Sequence, residues 1–148
     1  MDITKPHAHR LRSGRYSQAG QIYMVTVITA ERQRIFDDFS AARVLIQILK
    51  AESDKQRAST LAFVVMPDHL HWLMQLGETT ELAQSVRGIK SITTHRLGRQ
   101  VWQRGYHDHA VRREEDIKAL ARYVVANPVR AGLSVSVGAY SHWDAAWL

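Results

Sequence analysis

From Phe63 to Leu76 the chain reads Phe-Val-Val-Met-Pro-Asp-His-Leu-His-Trp-Leu-Met-Gln-Leu, an apolar run broken mainly at Pro67-Asp68. Short runs rich in β-branched and aromatic residues read as buried strands, and Pro-Asp between them breaks or turns the chain. This run therefore predicts two strands, Leu61–Met66 and His69–Leu76, and a sheet that other elements must cover. It also carries the most informative pair of side chains. Alternate residues of a strand share a face, so the imidazoles of His69 and His71 project together from an apolar element. Two neutral imidazoles side by side are half of a metal site.

Spacing alone does not select this pair, because His7-Ala8-His9 and His107-Asp108-His109 repeat it. The first triplet lies in a polar stretch where no fold would hold its rings still. The second fits a strand edge as a surface or hydrogen-bonded pair, with Asp108 pointing away from both rings. Rigid apolar residues flank His69 and His71, and a rigid element suits precise ligation. Taken alone, this context leaves open whether the pair binds a metal.

The remaining pattern is of strands alternating with helices. Gln21–Thr29 reads as a strand. Ser40 caps a helix through Ala41, Val44, Leu45, Ile48 and Leu49. Thr80 caps another through Leu82, Val86, Ile89 and Ile92, with Arg87 and Lys90 on a different face and Gly98 as its stop. Tyr106–Arg112 predicts a fourth strand, and Glu114–Ala126 a helix with acids at its start, ended by Pro128. Loops are short, and no repeat or linker splits the chain. The expectation is a basic arm over residues 1–20 and a single α/β (α+β) domain over residues 21–148, a sheet with helices packed on it.

The 148 residues suffice for one core, and the net charge of +6 favours polyanionic partners, chiefly nucleic acid. The excess is clustered. Ile3–Ala30 holds no acid but has Lys5, Arg10, Arg12 and Arg15; Leu82–Gln103 holds none but has Arg87, Lys90, Arg96 and Arg99. These are phosphate-gripping surfaces or merely solvated ones. Trp72, Trp102, Tyr16 and Tyr106 either stack exposed bases or fill the core. With no cysteine, disulfides, thiolate ligands and thiol catalysis are excluded. No apolar stretch approaches the roughly 18–20 residues that cross a bilayer. The first residues lack the apolar stretch of a secretory signal, so a cytoplasmic protein with no membrane partner is expected.

Two histidines do not complete a site for a hard divalent ion, which prefers oxygen ligands. Tyr123 and Asn127, four apart, share a helix face. The Asn127 amide oxygen as a third ligand would hold Tyr123 one turn from the metal. Alternatively, Tyr123 is a half-buried aromatic and Asn127 a helix cap.

The stretch Val64–His71 (Val-Val-Met-Pro-Asp-His-Leu-His) resembles the HUH motif (His, bulky hydrophobic, His) of the single-tyrosine transposases, the insertion-sequence 200-like family. Tyr123–Leu133 (Tyr-Val-Val-Ala-Asn-Pro-Val-Arg-Ala-Gly-Leu) resembles the nucleophile helix of their REP-associated branch. Trp102–Arg112 and Tyr140–Trp143 resemble the same branch. The resemblance implies an HUH-nuclease, ferredoxin-like (RRM-like) fold with a mainly antiparallel sheet. It implies that His69 and His71 bind Mg²⁺ or Mn²⁺, that Asn127 stands where relatives place a polar third ligand, and that Tyr123 is the nucleophile. Asp68 stands where many relatives have Asn; on an extended chain it points away from His69 and is left out of the ligand set. His107 and His109 fall in a segment read as structural or substrate-adjacent.

The implied activity is cleavage and rejoining of single-stranded DNA with REP-like hairpins through a 5′-phosphotyrosine. It needs a metal but no ATP. A monomer or homodimer would carry it out, associated with the nucleoid. Two rivals stand beside it: a non-catalytic nucleic-acid binder that keeps the fold, and a metal-dependent hydrolase using water, with Asp68 as its nearest acid or base.

Overall fold

The computed structural model describes residues 20–133, 140 and 142–145. Arg10, Arg12, Arg15, Tyr16 and the triplet His7-Ala8-His9 lie outside the described residues, as does most of the 1–20 arm. Gly20 does not hang free: its N–H donates to the Leu76 carbonyl at 2.9 Å.

The elements run β1 (Ile22–Ile28), α1 (Phe39–Asp54), β2 (Ala58–Met66), β3 (His69–Leu76), α2 (Leu82–Leu97), β4 (His107–Val111), α3 (Glu114–Val125), α4 (Asn127–Arg130) and β5 (Trp143–Ala145). Two short 3₁₀ turns, Ala30–Arg32 and Ile35–Asp37, lie between β1 and α1. The sheet order is β4-β1-β3-β2-β5 with every neighbouring pair antiparallel. The first six elements form the β-α-β-β-α-β ferredoxin-like unit, so the expected α+β fold is present. No helix of the described residues is long and apolar enough to cross a membrane.

Alternation along the strands divides the core in two. Tyr23, Val25, Val27, Phe63, Val65, Leu70, Trp72 and Met74 face α1 and α2. Met24, Ala62, Val64, Met66 and Leu73 face α3, which covers them with Ile117, Ala121, Val124 and Val125. Trp72 is fully buried, with its indole N–H on the Thr60 hydroxyl at 2.9 Å, so it is a core residue and not a base-stacking one.

Several expected boundaries move. Asp38 caps α1 in place of Ser40, its carboxylate accepting from the Ser40 and Ala41 N–H groups. Glu81 caps α2 in place of Thr80, through a reciprocal capping box with Gln84. Gly98 does stop α2, in the left-handed conformation at φ 67°. On α2 the inner face runs to Thr93, which is fully buried, while Ile92 is exposed. β2 begins three residues early, because Ala58–Thr60 pairs with Met74–Leu76 across the hairpin.

Candidate active site

The β2–β3 hairpin places the histidines. Met66 pairs with His69 and Val64 with His71 around the turn Pro67-Asp68. That turn is pinned from outside. The Phe36 N–H donates to the Pro67 carbonyl at 2.9 Å, and the Thr29 N–H and hydroxyl both donate to the Asp68 carbonyl at 3.0 Å. His69 and His71 share the α3 face with Val64 and Met66, which pack in one cluster with Val124 and Val125 of α3's last turn. Tyr123 and Asn127 follow from that turn. The helix carrying the expected nucleophile thus lies against the sheet beside the histidine pair, within one chain.

Each imidazole is held at Nδ1. The His69 Nδ1 bonds the Asp68 carboxylate at 2.7 Å, and the His71 Nδ1 bonds the Thr26 hydroxyl at 3.0 Å. The two Nε2 atoms are thereby turned toward each other, 3.2 Å apart, with the rings edge to face. Burial, together with the nearby His69 and Arg130, pushes the His71 pKa down to about 3, so its ring is neutral and keeps a lone pair. Burial alone would raise the Asp68 carboxyl, but hydrogen bonds from His69 and Arg32 outweigh it and hold it below the usual carboxylate range. The ionised carboxylate accepts from the His69 Nδ1–H, which leaves Nε2 as the ring atom that can face a cation.

This corrects the expectation for Asp68. Alternation would send it away from His69, but Asp68 is in the turn and not on the strand, and its side chain folds back to the ring. Thr26 gave no sequence signal at all; only the β1–β3 register, which pairs it with His71, brings it in. The same residue pairs with His107 on its other side, so His107 lies on the histidine face two strands from His71, while Asp108 points to the opposite face as expected.

On the helix side, Tyr123 is 51 % exposed and available to a macromolecular substrate. Asn127 Nδ2 donates to the Tyr123 carbonyl at 3.4 Å, which leaves its amide oxygen as an acceptor. Arg130, which the sequence reading passed over, folds back on α4. Its guanidinium stands 3.7 Å above the Tyr123 ring, and Nη2 donates to the Tyr123 carbonyl at 2.8 Å. A cation lies against the phenol, and its field reaches His71. As donors, two neutral imidazoles and an amide oxygen are compatible with a divalent ion that keeps positions for water or phosphate. No cluster of three or more His, Cys, Asp or Glu side chains able to hold a metal occurs among the described residues.

The four cations of Leu82–Gln103 separate. Arg87 and Lys90 line a groove between α2 and the segment before β4. Arg96 donates to the Gln47 amide at 3.2 Å, and Arg99 to that of Gln33. Both partners are neutral, so neither charge is cancelled.

A central sheet bearing a histidine pair, with a tyrosine helix on the same face, is the arrangement that the resemblance to single-tyrosine transposases implies. The profile of the family "Transposase IS200 like" matches residues 17–127, and the chain belongs to that family. Within it, the chain resembles REP-associated tyrosine transposases. It is 25% identical over 134 residues to one provisionally so named in Haemophilus influenzae, covering 76% of this chain and 73% of that one. It is 34% identical over 73 residues to the Escherichia coli K12 protein of that name, covering 48% and 44%. The solved structure of a REP-associated tyrosine transposase bound to a REP hairpin superposes with a TM-score of 0.73 at 27% identity, covering 87% of this chain and 79% of that one. A structure from Deinococcus radiodurans, provisionally described as a transposase, shares the fold at a TM-score of 0.54 and 20% identity, over 70% and 87% of the chains. The enzyme class is therefore transposase.

Proposed function

We propose that this chain cleaves and rejoins single-stranded DNA beside REP-like hairpins through a covalent bond between Tyr123 and a 5′-phosphate. One observation carries the reading. On a single sheet face, two histidines with anchored Nδ1 atoms turn their Nε2 atoms together beside the helix that bears an exposed tyrosine under an arginine. His69, His71 and the Asn127 amide oxygen would hold Mg²⁺ or Mn²⁺. When bound, that ion supplies charge neutralisation and polarisation at the scissile phosphate. Tyr123 Oη attacks phosphorus and the 3′-oxygen of the neighbouring nucleotide leaves. The phosphotyrosine keeps the bond energy, so a second 3′-hydroxyl can attack it and restore a phosphodiester without ATP. Arg130, held over the ring, offers its remaining N–H groups to the phosphate as charge shifts there. The likeness to a structure holding a REP hairpin supports the substrate class.

The test is incubation with hairpin DNA carrying single-stranded flanks, with Mg²⁺ or Mn²⁺, followed by a denaturing gel. A protein–DNA adduct is expected, lost in Tyr123→Phe with the fold intact. The side chain is half exposed, so its hydroxyl contributes within about 0.5 kcal/mol of stability. Cleavage that survives Tyr123→Phe would replace this reading with hydrolysis by water. Binding without cleavage under any metal would reduce the chain to a binder.

A further inference from the structure

The 3₁₀ turn after β1 holds two consecutive residues in the left-handed region, Glu31 and Arg32, each at φ 55°. Among the described non-glycine residues only Gln56, in the turn between α1 and β2, shares that conformation. A Cβ makes it unfavourable, and such strain persists only where neighbouring contacts impose it. Here they do. The Thr29 hydroxyl donates to the Gln33 carbonyl at 2.8 Å, the Ala30 N–H to the Val101 carbonyl at 2.9 Å, and the Arg32 N–H to the Thr29 carbonyl at 3.1 Å. The turn so held brings the Arg32 guanidinium to Asp68, with Nη1 donating to Oδ2 at 3.2 Å. An exposed ion pair contributes little by itself, so it does not account for two strained residues.

Its place does account for them. The other Asp68 oxygen, Oδ1, accepts from His69 Nδ1 at 2.7 Å, so the guanidinium stands one carboxylate away from the imidazole pair. On the helix side, Arg130 is near enough for its charge to act on His71. The pair is thus flanked by two arginines, Arg32 beside His69 and Arg130 toward His71. Arg32 also differs from its neighbour Arg34, which is spent on Asp37 through two nitrogens at 2.7 and 3.3 Å. Arg32 gives one nitrogen to Asp68, its side chain is 60% exposed, and no other acceptor among the described residues takes its remaining N–H groups. Glu31, next to it, accepts from the Gln33 amide at 3.4 Å. A planar guanidinium with one arm tied is oriented and can still take a phosphate oxygen. A DNA strand brings a phosphate at every nucleotide. With one phosphate at the imidazole pair, a cation beside His69 is placed for the next along the strand.

We propose that Arg32 is a DNA-binding residue of this site, its free N–H groups holding a phosphate adjacent to the scissile one while Asp68 orients the guanidinium. The proposal rests on the functional reading above for its substrate. Its test replaces single phosphodiesters in the flank of hairpin DNA with methylphosphonates, which keep the linkage and remove its charge. Affinity is read by fluorescence anisotropy with the Tyr123→Phe protein, which cannot consume the strand, and the cleaved linkage is mapped with the wild-type protein on unmodified DNA. A linkage next to the cleaved one is expected to weaken binding about tenfold, the size of a lost charge-assisted hydrogen bond. Adding Arg32→Gln should weaken binding of unmodified DNA by the same factor and abolish the sensitivity to that linkage while leaving the others, a coupling that a residue without the contact does not show. The exposed side chain should leave the urea midpoint of Arg32→Gln at the wild-type value. Undiminished sensitivity at every linkage in Arg32→Gln, or coupling to a linkage not adjacent to the cleaved one, overturns the contact. A loss of Mn²⁺ affinity in Arg32→Gln with every linkage uncoupled makes Arg32 a support for Asp68 only, and also overturns it. An adduct formed by the wild-type protein with no coupled linkage refutes the contact and leaves the reaction standing. A coupled linkage without any adduct refutes the reaction and leaves Arg32 as a phosphate contact.

Discussion

Thr26 and Asp68 decide which nitrogen of each histidine is available. Asp68 can only accept, so His69 keeps a proton at Nδ1 and turns Nε2 toward His71. Where the His69 Nε2 carries no proton and no cation is bound, the neutral His71, 3.2 Å away, places its own proton on Nε2, and Thr26 then donates to Nδ1. Binding an ion between the rings requires the other His71 tautomer, with Nδ1–H donating to the Thr26 oxygen. A hydroxyl serves in both directions. Thr26→Val is therefore expected to lower Mn²⁺ affinity about 10- to 100-fold, the usual size for loss of a partner behind a ligand, with Thr26→Ser restoring it. Asp68→Ala should lose a similar factor, whereas Asp68→Asn, whose amide oxygen still accepts from Nδ1, should stay near wild type. Calorimetric titration with Mn²⁺ checks all four. Equal affinity in Thr26→Val would show that the rings do not share an ion.

Elements fix these side chains, and some were easier to read than others. β1 and β3 stand within one residue of their expected bounds because their residues are β-branched, aromatic or apolar almost throughout. The starts of α1 and α2 slipped because each has two capping residues within two positions, and only side-chain geometry chooses between them, whereas α3 starts at Glu114 as expected. Three-residue β5 is too short to show a period, and it exists through its pairing with β2. The His69/His71 pair and Tyr123 were legible in the sequence; Thr26 and Arg130 were not, since strand register and the fold-back of α4 bring them in. β5's approach is fastened by Tyr140, whose hydroxyl donates to the Val65 carbonyl at 2.7 Å, and by the Val65 N–H on the His142 carbonyl at 2.8 Å. Burial, with Asp37 nearby, pushes the Tyr140 hydroxyl up to about 12. The folded value lies above the ordinary value near 10, so the stabilisation is complete below pH 10 and is lost as pH rises from about 10 to about 12. Tyr140→Phe should cost about 1 kcal/mol at pH 8, the worth of one hydrogen bond. The difference from wild type should shrink as urea unfolding is repeated between pH 10 and 11.5. A gap that stays constant would mean the hydroxyl is not held as described.

The whole molecule puts the histidine face and the α2 groove with its two cations on opposite faces of one sheet, with β4 at the sheet's edge. That arrangement makes a claim about salt. Each phosphate neutralised on a single strand steepens the fall of log affinity with log salt by about 0.7. If the strand runs over β4 into the α2 groove, Arg87 and Lys90 each meet a phosphate, and the double variant Arg87→Gln, Lys90→Gln should flatten the slope by about 1.4. Arg113 supplies the control. It is exposed to solvent but already paired with Asp116 at 3.2 Å and Glu115 at 3.9 Å, so Arg113→Gln should leave the slope unchanged. The competing expectation comes from the other acid-free stretch, with Arg10, Arg12 and Arg15. If those residues carried the electrostatic grip alone, the α2 double variant would bind with the wild-type slope. Measured from about 50 to 300 mM salt on flanked hairpin DNA, and again on the hairpin without its flank, the slopes separate the two. The α2 change should appear only when the flank is present, because only an unpaired strand can leave the hairpin, round the sheet edge and reach the groove.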